Sequence, residues 1–137
     1  MSEVNSHISV KGHWYATVPI AIINKNAAIQ KPVPFCINGQ DIVIWKSRNG
    51  EFIAQEDRCA HVDAELNTGI CGEDFLVCAH HGWTHHPDGH ARPPGALNWK
   101  TPNKGWRKIK TYKTTERLGV LWIWSMADSE GDSFNCP

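Results

Sequence analysis

The chain is expected to fold as an all-β domain, and three observations carry that expectation. Asn-Gly occurs twice between apolar runs, at Asn38-Gly39 and Asn49-Gly50, and this dipeptide marks tight hairpin turns because both residues tolerate positive φ. No window sustains a 3.6-residue apolar period, so helix is expected to be minor. Near the end, Gly119-Val120-Leu121-Trp122-Ile123-Trp124 is rich in the β-branched and aromatic residues that suit a pleated sheet.

Taken in order, Met1 to His13 is polar and lacks the apolar stretch of a secretory signal, so residues 1–13 are read as an N-terminal arm. Val18 to Ile23 is the longest apolar stretch, but Pro19 interrupts it and it falls short of the roughly 20 residues of a membrane helix. A soluble, cytoplasmic chain with no membrane contact is therefore expected. Pro34-Phe35-Cys36-Ile37 and Asp41-Ile42-Val43-Ile44-Trp45 flank the first Asn-Gly, and Glu51-Phe52-Ile53-Ala54 follows the second. These three runs read as a meander. Phe75-Leu76-Val77 is a further strand and Pro87-Asp88-Gly89 a turn. Ala91 to Trp106, with Pro93-Pro94-Gly95, Pro102 and Gly105, reads as an irregular surface loop without core residues. The strand ending at Trp124 closes a domain over residues 14–124, and the polar, acidic residues 125–137 read as a flexible tail.

The chemistry is concentrated in two short pairs, Cys59-Ala60-His61 and Cys78-Ala79-His80-His81, the second followed by Gly82-Trp83. Residues 62 to 77 separate them, giving the pattern C-x-H-x16-C-x-x-H. This resembles the ligand pattern of a Rieske [2Fe-2S] centre. Replacing two thiolates on one iron by neutral imidazoles removes negative charge and raises the potential to roughly −150 to +300 mV, so both residue types are needed. Each pair offers one of each, which suits two loops clamping the cluster from opposite sides. Cys59 and Cys78 are expected on the inner iron, His61 and His81 on the outer one. Zinc is the competing metal, since two Cys and two His also make a closed tetrahedral set; its sites more often keep like ligands together.

Around these pairs the resemblance widens. Trp14-Tyr15, Gly39-Gln40-Asp41-Ile42-Val43-Ile44-Trp45, Glu56-Asp57-Arg58-Cys59-Ala60-His61, His81-Gly82-Trp83 and Gly119 to Trp124 are similar to the N-terminal Rieske domain of Rieske non-haem iron oxygenases. The resemblance implies an antiparallel β-sandwich of Rieske type with a small cluster-binding subdomain, residues 57–85, inserted in it, and a role in electron transfer. Such oxygenases commonly carry Arg after the first His ligand and an aromatic before the second; Val62 and His80 stand there in this chain. High-potential respiratory Rieske proteins carry an additional Cys near each pair and a Ser after the second His-Gly, where this chain has Ala64, His80 and Trp83. A potential near the lower end of the Rieske range is the consequence expected.

Function follows as a set of expectations. The first is a stand-alone Rieske ferredoxin-like component that moves single electrons from a reductase to a partner non-haem iron oxygenase. The second is a split or truncated N-terminal part of a ring-hydroxylating-type oxygenase, active only with a domain that supplies a catalytic iron, because no length remains after Trp124 for one. A zinc-stabilised binding module is a distant third. No catalytic residue is assigned. His86-Pro87-Asp88 imitates the start of an iron facial triad, but His85, His86 and His90 are expected to be solvent-exposed around one turn.

Composition narrows the partners. Fourteen basic and 14 acidic residues cancel, which gives no reason to expect nucleic acid. Seven acidic residues fall between 51 and 74 and seven basic ones, among them Arg107, Lys108 and Lys110, between 100 and 117; separate charged faces able to steer a redox partner are one reading, ordinary solvated surface the other. Beyond the two ligand thiols, Cys36, Cys71 and Cys136 leave an odd number, which suits a reducing compartment better than a disulfide framework. Trp45, Trp122 and Trp124 are expected to be packed strand residues in core or half-core positions, and Trp83 to cover the cluster or shape a docking face.

Overall fold

The computed structural model describes residues 12–62, 64–72, 74–94 and 107–127. Its largest element is a six-stranded sheet in the order β1-β11-β10-β4-β3-β2, antiparallel at every pairing. The strands are β1 (Trp14–Pro19), β2 (Val33–Ile37), β3 (Gln40–Lys46), β4 (Phe52–Glu56), β10 (Thr111–Arg117) and β11 (Val120–Ala127). A second antiparallel sheet joins five very short strands: β5 (Ile70–Cys71), β6 (Leu76–Val77), β7 (Thr84–His85), β8 (His90–Arg92) and β9 (Arg107–Lys108). The all-β antiparallel architecture expected from the sequence is present.

Local turn chemistry places the meander. Asn38 and Gly39 have φ of 51° and 78°, the pair of positive values that makes a two-residue hairpin match the twist of its strands. Register follows, with Ile37 opposite Gln40 and Phe35 opposite Ile42. Because side chains alternate across a strand, β3 serves two cores at once. Ile42 and Ile44 face a cluster containing Val18, Ile23, Ile37, Ala54, Leu121 and Ile123. Val43 and Trp45 face the opposite way, into a cluster with Ile53, Leu66, Leu76, Ile109 and the three cysteines Cys59, Cys71 and Cys78. The first core lies inside the curl of the large sheet, whose edges come together where Asn38 Nδ2 donates to the Tyr15 hydroxyl at 2.9 Å. The second lies between that sheet and the lobe that carries the two pairs.

One helix, α1 (Ile20–Ala27), caps the first core with Ile20 and Ile23. At eight residues it is too short to stand on propensity alone; its entry is held by Ile20 N–H donating to the Gly119 carbonyl at 2.9 Å. Among the described residues no helix is long and apolar enough to cross a membrane.

Several boundaries differ from expectation. β11 runs to Ala127, which is fully buried, three residues beyond the end expected at Trp124. The stretch expected to be a coreless loop from Ala91 begins inside β8, and Ala91 is itself fully buried, because pairing with both β7 and β9 draws it inward. The rest of that stretch, 95–106, lies outside the described residues, as do 1–11 of the arm and 128–137 of the tail. Trp45 and Trp124 are buried as expected, and Trp122 is half-buried.

The lobe is folded tightly where β5 meets β6. Gly69 closes the 3-10 turn Leu66–Thr68, and a Cβ on it would overlap the Val77 carbonyl oxygen. Gly69→Ala must push β5 away from β6, and overpacking of this kind costs about 1–3 kcal/mol. A urea midpoint lowered accordingly, with the lobe losing protection from hydrogen exchange before the large sheet, is the expected outcome.

Candidate metal centre

Each pair sits in a loop closed by its own cysteine. Cys59 N–H donates to the Ala64 carbonyl at 2.8 Å and Cys78 N–H to the Trp83 carbonyl at 2.9 Å, so both loops bridge from position i to i+5. The second loop turns through Gly82, at φ 72°, a conformation that glycine adopts without strain. Both thiols are buried, at 3% and 1% exposure, and lie close enough to hydrogen-bond to one another. Burial pushes the Cys59 thiol up, while the backbone N–H groups of His61 and Val62 pull it back; such donors favour a thiolate.

The histidines form the outer half. The rings of His61 and His81 meet edge-to-face with centroids 5.1 Å apart. His61 is half-buried, and its Nδ1 is buried with no hydrogen-bond partner, a costly state for a ring nitrogen unless a metal takes it. His81 is exposed, as is His80, whose ring touches that of His81 at 6.5 Å. Trp83 stacks on His61 at 4.8 Å with the planes 7° apart. The structure thus brings Cys59, His61, Cys78 and His81 together in two adjoining pairs, thiols inside and imidazoles outside. The donors fit a two-iron cluster.

Several groups that hold this centre were missed at the level of sequence. Expected to be exposed, His85 and His86 are instead buried, at 0% and 7% exposure, and His90 is half-buried. The reason is β7, which carries Thr84 and His85 between β6 and β8 inside the second sheet. His85 Nε2 accepts the Ala60 N–H at 3.1 Å and its Nδ1 reaches the Leu76 carbonyl at 3.4 Å. His90 stays in the turn, where its Nδ1 and N–H both meet the Asp88 carboxylate at 2.9 Å. Arg107 Nη1 donates to the carbonyls of Ala60 and His61 at 2.9 and 3.0 Å, with its guanidinium carbon 5.9 Å from the Trp83 ring centroid. Gln55 is also fully buried, accepts from Trp45 Nε1 at 3.0 Å and donates to the His86 carbonyl at 2.6 Å, linking the large sheet to the lobe.

Parts of the acidic and basic segments meet among the described residues. β10 pairs with β4, Lys110 N–H donates to Glu56 Oε1 at 2.8 Å, and Arg107 lies on the first ligand loop.

Burial lowers the pKa of His85 to about 4; the Leu76 carbonyl opposes the shift, nearby His86 adds to it and a backbone bond at Trp83 opposes it again. Burial lowers His86 as well, with Arg92 the next cause. The unfolded chain binds the proton of such a ring near pH 6.5, but the folded chain only near 4. The stability this contributes is present above pH 6.5 and is lost as pH falls toward 4, by about 3 kcal/mol in all. Denaturant unfolding at pH 7 and pH 4.5 should therefore show a smaller loss for His85→Phe than for the unaltered chain.

A family model described as "Rieske [2Fe-2S] domain" matches residues 13–103. Among curated relatives, methylxanthine N1-demethylase NdmA of Pseudomonas putida is 37% identical over 126 residues, covering 90% of this chain and 34% of that protein. Chloroplastic pheophorbide a oxygenase of Oryza sativa subsp. japonica is 32% identical over 121 residues, with 83% and 22% covered. The solved structure of Pseudomonas putida CBB5 NdmA superposes with a TM-score of 0.69 at 28% identity, covering 80% of this chain and 33% of that one. Dicamba monooxygenase bound to dicamba shares the fold, with a TM-score of 0.74 at 22% identity over 93% of this chain and 36% of that one. The chain thus spans about a third or less of the length of these relatives.

Proposed function

The chain belongs to the Rieske [2Fe-2S] domain family, and from that premise we propose that it carries single electrons between a reductase and a non-haem iron oxygenase component, with Cys59, His61, Cys78 and His81 as the cluster ligands. One observation carries the ligand assignment: the four donors stand as a buried thiol pair beside an outer imidazole pair, and His61 Nδ1 is left without a partner. Bound there, the cluster supplies one-electron chemistry at a potential that two neutral imidazoles raise.

The chain's own residues divide the work of holding and exposing that centre. Val43, Trp45, Leu66 and Leu76 pack with the two thiols and keep water from them. Trp83 covers one face of His61, while the exposed His81 leaves an edge of the centre open to a partner. Arg107 fixes the carbonyls of the first loop and brings positive charge beside it, which favours the reduced state electrostatically.

The relatives' lengths favour a second reading, in which this chain is the Rieske part of an oxygenase whose catalytic iron is supplied in the same complex. Purified protein reconstituted with iron and sulfide decides on the cluster: two irons and one accepted electron per chain are expected, with the EPR signal of a Rieske centre after dithionite. Colourless protein with one bound zinc would overturn the assignment. Adding a reductase and an oxygenase then separates the readings, since a free carrier turns over many times per molecule of oxygenase and an integral part does so only in a fixed complex.

A further inference from the structure

We propose that His85 is a positioning residue that ties the first ligand loop to β6, the strand leading into the second, and so fixes the separation between the two loops. The inference rests on the ligand assignment proposed above. His85 is fully buried on β7, and its two ring nitrogens touch the first ligand loop and β6, the strand that leads into the second. Nε2 accepts from the N–H of Ala60, the residue between Cys59 and His61, at 3.1 Å. Nδ1 lies 3.4 Å from the carbonyl of Leu76, two residues before Cys78. One neutral tautomer, with the proton on Nδ1, satisfies both contacts. Imidazole is rigid, so it sets the distance between its partners in a way a flexible side chain does not.

Packing alone does not account for a histidine here. An apolar ring of similar size would fill the space without two polar atoms to satisfy, and a buried polar group is costly when unpaired. The bond to Ala60 is also the only one the described residues give to that peptide's N–H, while Arg107 holds its carbonyl at 2.9 Å from the opposite edge. Ala60 is thereby clamped on both sides, and with it the spacing of Cys59 and His61. A change in loop separation alters cluster geometry, and hence potential and EPR g values, whether or not stability changes.

The test uses the full chain reconstituted with iron and sulfide, comparing His85→Phe, His85→Gln and His85→Asn by redox titration, EPR and iron release to a chelator. His85→Phe keeps a ring but loses both bonds; it should shift the potential, alter the g values and release iron about 10- to 100-fold faster. His85→Gln places an acceptor where Nε2 stood and should recover most of the effect, whereas His85→Asn, too short to reach Ala60, should not. A His85→Phe protein matching the unaltered one in potential, g values and release rate would overturn the inference while leaving the ligand assignment intact. Should His85→Phe not fold, equal behaviour of the Gln and Asn variants would overturn it instead. A missing Rieske signal in the unaltered chain removes the ligand assignment, and this inference with it.

Discussion

His81→Ala is expected to give a folded protein with no Rieske EPR signal and without its two irons, and His61→Ala the same. Each imidazole fills a coordination place that no neighbour reaches: the His61 and His81 rings adjoin at 5.1 Å, and what else lies against His61 is Trp83, whose indole cannot ligate. His80 is the natural control. It is as exposed as His81 and next to it in sequence, yet it contacts the ring of His81 and not that of His61. His80→Ala should therefore keep signal, iron content and potential. A full signal in His81→Ala together with its loss in His80→Ala would reassign the outer ligand to His80.

The second large effect is expected at Trp45, which packs in the core that holds the ligand thiols without being a ligand itself. Its side chain is buried to 1% exposure in the core shared by the large sheet and the lobe, and its Nε1 donates to fully buried Gln55. Trp45→Ala removes a large buried side chain, for about 3–5 kcal/mol, and strands the Gln55 carbonyl oxygen, for about 1–3 kcal/mol more. Against a total stability of about 5–15 kcal/mol this should abolish folding at ordinary temperature or lower Tm steeply. Trp45→Phe keeps most of the volume and should lose mainly the bond to Gln55, about 1–3 kcal/mol. Urea unfolding checks both, and equal destabilisation by the two variants would mean that volume at this position counts for little.

What was legible in the sequence was local in origin. The Asn38-Gly39 turn, the strands flanking it and the two ligand pairs all declare themselves within a few residues, through positive φ, alternation and spacing. Helix α1 was not legible, since eight residues burying Ile20 and Ile23 show no sustained period and Pro19 precedes them. The β10–β11 turn uses Leu118 at φ 59°, a residue that carries no turn signal. Strands of two residues such as β5 and β7 exist only because the lobe's tertiary pairing holds them. The same distance hid the groups around the ligands: His85 meets Ala60 across 25 residues and Arg107 across 47, so a run of histidines beside a turn looked like surface, and an arginine in a basic run looked like charge for its own sake.

The lobe leaves the large sheet at the end of β4 and returns at the start of β10, where Gln55 and Thr111 are cross-strand partners. Topologically it is therefore an oversized hairpin loop. Loop-closure entropy rises only with the logarithm of length, so pairing β4 with β10 across a floppy loop of about fifty-five residues costs about 2 kcal/mol more than across a tight turn. The scaffold can thus persist while the lobe melts, and losing iron need not mean losing the protein. By the same geometry the lobe's two ends enter neighbouring strands, so moving it to a host sheet needs a hairpin opening together with an apolar face like that of Val43, Trp45 and Ile53 to cover its thiols.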